Sequence, residues 1–112
     1  MTPPRLNRRL TLEAPQRVPD GAGGFVTVWS PMGTVWAELR ARSGRELDES
    51  GASVSRVSYR ITVRAAPQSS PERPVPSGRF RDGSRIFLIR AVTELDMQGL
   101  YLVCFADEEV IA

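Results

Sequence analysis

Residues Val54–Arg64 read Val-Ser-Arg-Val-Ser-Tyr-Arg-Ile-Thr-Val-Arg. From Val57 on, the odd positions carry Val57, Tyr59, Ile61 and Val63, and the even ones carry Ser58, Arg60, Thr62 and Arg64. Alternation with period two in β-branched and aromatic residues marks a strand with one buried and one wetted face. No helical period fits it. A strand cannot bury one face alone, so the rest of the chain has to supply a sheet around it.

Just upstream, Thr34–Arg42 alternates in the same way, with Val35, Ala37, Leu39 and Ala41 against Trp36, Glu38, Arg40 and Arg42. Trp36 is the anomaly, because it sits with the charges. It either caps the edge of the core or anchors a contact with a neighbouring subunit. Between these two strands lie Ser43, Gly44, Arg45, Glu46, Leu47, Asp48, Glu49, Ser50, Gly51, Ala52 and Ser53. Ser43 with Glu46 three residues on could cap one turn of helix, but the segment is too short to hold that turn without packing. It is too polar for a barrel interior and far longer than a hairpin needs.

Further upstream, Phe25–Trp29 reads as a strand and Ser30–Gly33, with Pro31, as a hairpin connection. Ala14–Gly24 reads as a loop rich in Pro and Gly, and Arg8–Glu13 as a short strand. Residues 1–7 form a flexible N-terminal arm. Downstream, Pro67, Pro71, Pro74 and Pro76 make Ala65–Gly78 a connector, and Asp82-Gly83 marks a turn. Arg85–Leu95 and Leu100–Ala106 are strands joined by a turn at Asp96–Gly99. Both carry apolar residues on two faces, which demands a central place or a covering partner. The tail after Ala106 is acidic, then apolar. The expectation is a single all-β domain over residues 1–112, a small antiparallel barrel or sandwich of about six strands with long polar loops.

Composition excludes most chemistry. The chain of 112 residues is 41% hydrophobic and 25% charged, with a net charge of +2. All 15 basic residues are Arg, and His is absent, so there is no imidazole base and no His-ligated metal. Cys104, alone and in an apolar run, reads as a buried inert thiol with no disulfide or zinc role. The carboxylates cluster in the 43–53 segment and the tail, without the apolar context that raises a pKa. Gly21–Gly24 is no phosphate loop, since no Lys-Ser/Thr and no helix follow it. No catalytic, metal-binding or cofactor-binding residues emerge, and the chain does not read as an enzyme. No stretch has the apolar length of a membrane helix, and no secretory signal opens the chain. The protein reads as made in the cytoplasm.

Nucleic-acid binding is the alternative function. Arg56, Arg60 and Arg64 share a wet face, and Arg40 and Arg42 join them if the two strands pair. A small barrel with such a surface would act as an OB-like binder of nucleic acid. Against it stand few aromatics, 7%, and 13 acids that nearly balance the charge.

The order of motifs carries more than any one of them. An Arg-x-Leu-x-Leu strand at Arg8–Leu12 comes first, then Gly23-Gly24 with Trp29 soon after. Val35-Trp36-Ala37-Glu38, Ser43-Gly44-Arg45-Glu46, Tyr59–Arg64, Ile86–Val92 and Leu100–Phe105 follow. From about Arg8 to Asp107 this succession resembles the head–tail joining family of long-tailed phages, prophages and gene transfer agents, the stopper or head-completion proteins. The chain departs from the family pattern by its long Pro-rich connector at Ala65–Gly78. The resemblance implies a homo-oligomeric ring, six-fold, in the neck of a phage-like particle. Its partners would be an adaptor below the portal, a tail terminator and the passing double-stranded DNA. In that family the loop after the Trp-Ala strand points at the channel and can close it, which here means Ser43–Ser53. Trp36, Arg40, Arg60 and Arg64 are the expected subunit contacts.

Overall fold

The computed structural model describes residues 2–42 and 54–111. Among them six strands form: β1 (Arg8–Pro19), β2 (Phe25–Ala41), β3 (Val54–Arg64), β4 (Arg79–Asp82), β5 (Arg85–Glu94) and β6 (Tyr101–Ile111). Every neighbouring pair is antiparallel, and the sheet closes in the order β1-β2-β3-β6-β5-β4. The seam is short: β1 meets β4 only through Thr11↔Arg81, Leu12↔Phe80 and Glu13↔Arg79. Closure pairs both sides of each strand around the barrel itself, where a six-stranded open sheet would expose two edges.

The strand count agrees with the sequence reading, but its make-up differs. Ser30–Gly33 is not a hairpin connection. Phe25–Ala41 is one strand of 17 residues. Leu12 pairs with Gly33 and Glu13 with Pro31, so Met32 is the extra residue of a bulge. A proline is tolerated at such a bulge because the ladder needs no donor there. Ala14–Pro19, expected as loop, continues β1 and pairs with Phe25–Ser30. Pro15 and Pro19 are compatible with this because the other side of β1 has no strand partner there. The true turn is Asp20–Gly24. Ala22 N–H and Gly24 N–H donate to Asp20 Oδ1 at 2.8 and 3.0 Å, and Asp20 N–H donates to the Gly24 carbonyl at 3.1 Å. The short β4 was hidden in the sequence by its four-residue length. Gly83, with φ +61°, opens its two-residue turn into β5, where a positive φ matches the strand twist.

The core is one cluster drawn from all six strands. It comprises Leu10 and Leu12 of β1, Ala37 of β2, Ile61 and Val63 of β3, Phe80 of β4, Phe87 and Ile89 of β5, and Leu102, Cys104 and Ala106 of β6. Each large apolar side chain buried here contributes about 1.5–3 kcal/mol. The alternation of β3 is thus read correctly at Ile61 and Val63, with one exception on the other face. Thr62, facing outward, is also buried, and its cross-strand partner Val103 is 2% exposed. Thr2, Pro3 and Pro4 line a hollow over this face together with Glu38, Arg40, Arg60, Thr62 and Leu95. Arg5 N–H donates to Glu38 Oε2 at 2.8 Å and holds the N-terminal segment there. At one end the connector packs inward through Pro74 and Ala65, and Ala65 N–H extends the ladder to the Leu100 carbonyl at 2.9 Å.

Candidate interaction surfaces

The outward face of β2, β3 and β6 is the candidate site. It gathers the four residues expected at a subunit contact. Trp36 is 55% exposed and stands outside the core cluster, opposite Arg9 of β1. Arg40 and Arg60 are Cα partners across the β2–β3 ladder, so two guanidiniums are directly opposed. Like charges in that position disfavour the sheet. Glu38 relieves part of this, accepting from Arg40 Nε at 3.2 Å. Arg64 pairs in register with Tyr101, and its guanidinium lies 5.5 Å from that ring centroid.

Two aromatic members of this face were not singled out in the sequence. Tyr101 and Phe105 occupy outward positions of β6, between the inward Leu102, Cys104 and Ala106. Arg42 sits 5.3 Å from the Phe105 ring. A run apolar on both faces gives no signal of which side is inward. Beside them Asp107 accepts from Ser58 Oγ at 3.0 Å and from Arg90 Nη1 at 2.7 Å. The surface is therefore rich in Arg, with guanidiniums set against two of its aromatic rings.

Two buried carboxylates are clamped by arginines, Glu108 on the core side of β6 and Glu13 at the β1–β4 seam. Glu108, 7% exposed, takes two hydrogen bonds from Arg85, Nε to Oε2 at 2.7 Å and Nη2 to Oε1 at 3.0 Å. Arg85 Nη2 also donates to Tyr59 Oη at 3.0 Å and stacks near Phe87, which meets Tyr59 edge-on. At the seam, buried Glu13 is held by Arg79 Nε at 2.7 Å and Arg81 Nε at 3.0 Å, and Arg79 lies 4.1 Å from the Trp29 ring centroid. The sequence placed Glu108 in an acidic tail, whereas β6 runs on through it to Ile111.

The Arg85 hydrogen bonds hold the Glu108 carboxyl below its ordinary range, against the opposing pull of burial, and Arg85 is raised in return. A carboxyl depressed in the folded state adds stability above its unfolded pKa of about 4.3 and loses it as pH falls through the folded value. Glu108→Gln should therefore cost about 1–2 kcal/mol at neutral pH, at the low end for charged hydrogen bonds because Arg85 is itself 40% exposed. The gap between the two proteins should close in acid. Urea unfolding at neutral pH and at pH 3 measures it, and a gap that stays constant contradicts the pairing.

Nothing on the described residues resembles a reaction centre. They hold no group of three or more His, Cys, Asp or Glu able to bind a metal. Burial pushes the Cys104 thiol up to about 12, which leaves no thiolate at neutral pH. No helix among them is long and apolar enough to cross a membrane. The expected channel loop, Ser43–Ser53, lies outside the described residues; its flank is fixed by Arg42 N–H donating to the Ser58 carbonyl at 2.7 Å.

Comparison with known proteins bears on these surfaces. A family model described as phage head completion protein matches residues 1–109. A chain in the virion of a native gene transfer agent particle is 50% identical, with a TM-score of 0.87, over 98% of this chain and 100% of that one. The solution structure of protein SF1141 from Shigella flexneri 2a shares the fold, with a TM-score of 0.66 at 21% identity over 96% of each chain. No curated protein sequence matches.

Proposed function

The chain belongs to the phage head completion protein family, a family of virion structural proteins and not of enzymes, and we propose that it forms a ring in the neck of a phage-like particle. In this reading the ring lies between an adaptor below the portal and the tail terminator, retains packaged DNA, and lets it pass on delivery. The observation that carries it is the family match over nearly the whole chain, supported by the relative of like length in a gene transfer agent virion. Six copies fit the symmetry of the tails that such particles carry.

Copies of Ser43–Ser53 would meet near the ring axis and narrow the channel. This rests on the sequence: a polar connection with Gly44 and Gly51 near its ends, between the end of β2 and the start of β3. Its acids, Glu46, Asp48 and Glu49, outnumber Arg45. Such a lining lets DNA slide, because phosphate affinity comes from basic neutralisation. Trp36, Arg40, Arg60 and Arg64 would face a neighbouring copy. The opposed Arg40 and Arg60 favour a covering partner with carboxylates or carbonyls to offer. The alternative of an OB-like nucleic-acid binder gains less, since Tyr101 and Phe105 already have guanidiniums against their rings.

Trp36→Ala tests the interface role. It should leave monomer stability nearly unchanged, because Trp36 is half in solvent, and weaken assembly by about 2 kcal/mol or more. Thermal unfolding and sedimentation of assembled material separate the two effects. Loss of monomer stability instead would make Trp36 a core residue. For the ring as a whole, heads and tails made without this protein should stay unjoined, and adding the purified chain should restore joining. Joining without it would contradict the proposal.

A further inference from the structure

The distal halves of β1 and β2 leave the barrel as an arm. β1 meets β4 no further than Glu13, and β2 meets β3 only from Ala37 to Ala41. Ala14–Pro19 and Phe25–Ser30 therefore pair only with each other. At about 3.3 Å per residue such a ribbon extends about 20 Å. It exposes Phe25, Val26 and Val28 at 57%, 48% and 41%. A two-stranded ribbon is marginal in water by itself, and an unpaired apolar edge is a template for another strand.

The two edges of the arm differ. That of β1 is blunted by Pro15 and Pro19. That of β2 runs Phe-Val-Thr-Val-Trp-Ser with no proline before Pro31. The same chain carries a second unpaired edge. β4 ends its pairing with β5 at Leu88, and the Ser77 and Gly78 backbones bond only as far as Ile89. Among the described residues no strand flanks Ala91–Glu94 on that side, and Ala91, Thr93 and Glu94 are exposed. Leu88, 43% exposed, adds apolar surface on the same strand. In the closed order, β2 and β5 are separated by two strands either way round, so the edges lie on opposite flanks of the barrel. Two different edges on opposite flanks make a head-to-tail contact, the kind that closes into rings.

We propose that the Phe25–Ser30 edge of one copy adds as a strand to the Ala91–Glu94 edge of the next, a second copy of this chain, by strand augmentation. This rests on the ring reading above and names the contact that builds the ring. The side chains of Phe25, Val26 and Val28 leave water in the contact, and the main-chain groups of both edges gain partners.

The test places the photoreactive residue p-benzoylphenylalanine at position 26, and separately at 28, in assembled particles. Both sites are surface positions, so the fold tolerates the change. Irradiation should yield a band of twice the chain mass, trypsin should give the adduct on the peptide that begins at Ala91, and fragmentation should place it within Ala91–Glu94 and not on β6, which the same peptide contains. Crosslinks to another strand of this chain, to a different protein, or none at all, overturn the proposal. Images of the same particles separate the two levels. A ring without the adduct on Ala91–Glu94 overturns the strand pairing alone, whereas particles without a ring overturn the reading beneath it.

Discussion

Particles whose protein carries a linker of about five Gly and Ser residues in place of Ser43–Ser53 should assemble normally and lose their DNA before a tail is joined. The argument is one of length and place. β2 ends at Ala41, which pairs with Tyr59, so the link has to run from Arg42, bonded to Ser58, along β3 to Val54, about 14 Å away. Of the eleven residues between Arg42 and Val54, about five suffice to span that distance. Loop entropy does not forbid them, because closure cost rises only slowly with length. The pairing that fixes the barrel, Ala37↔Val63 through Ala41↔Tyr59, lies wholly outside the segment. Shortening it should therefore spare folding and ring formation while removing the constriction. The yield of DNA-filled heads should fall at least about tenfold, with empty heads rising to match. Shortened particles that keep and deliver DNA would move the plugging role to another neck protein.

Phe87→Ala should have the largest effect on folding. Phe87 is fully buried, meets the Tyr59 ring at 5.1 Å and 85°, and lies under Arg85 at 5.0 Å. Its removal opens a cavity where β5 and β3 meet across the core, and it undercuts the Arg85–Glu108 pair. Burying an aromatic of this kind is worth about 3–5 kcal/mol on truncation, a large share of the total of about 5–15 kcal/mol for a domain. Phe87→Leu, which keeps most of the volume, should cost clearly less. Urea denaturation of the three proteins decides it, and a loss under about 1 kcal/mol for the alanine would show that this end of the barrel is not the packed core described.

What the sequence disclosed follows from where the signal is physical. The face of β3 was legible at Ile61 and Val63 because period two leaves little alternative. The outward exposure of Trp36, and its company of Arg40, Arg60 and Arg64, was legible for the same reason. Pro31 and Gly33 misled, because a bulge and a turn draw on the same residues and only the partner strand tells them apart. Pro15 and Pro19 misled in the same way, since an edge strand accepts prolines that an inner strand does not. β4 was too short to show a period. Glu13 and Glu108 looked like solvated acids; that they are clamped by Arg79, Arg81 and Arg85 depends on contacts 23 to 68 residues apart in the chain. Val103 and Thr62 are buried on the outer face, where local alternation promises exposure and the register across β3 and β6 sets them side by side.

The central claim is the place of this chain in the particle. Electron cryo-microscopy of purified particles, refined with the symmetry of the neck, measures it directly. The account predicts density for the six-stranded barrel in a closed ring between the adaptor and the tail terminator, with the β2–β3 connections facing the axis. The barrel found in the capsid shell or the baseplate, or no such density in the particle, would contradict it.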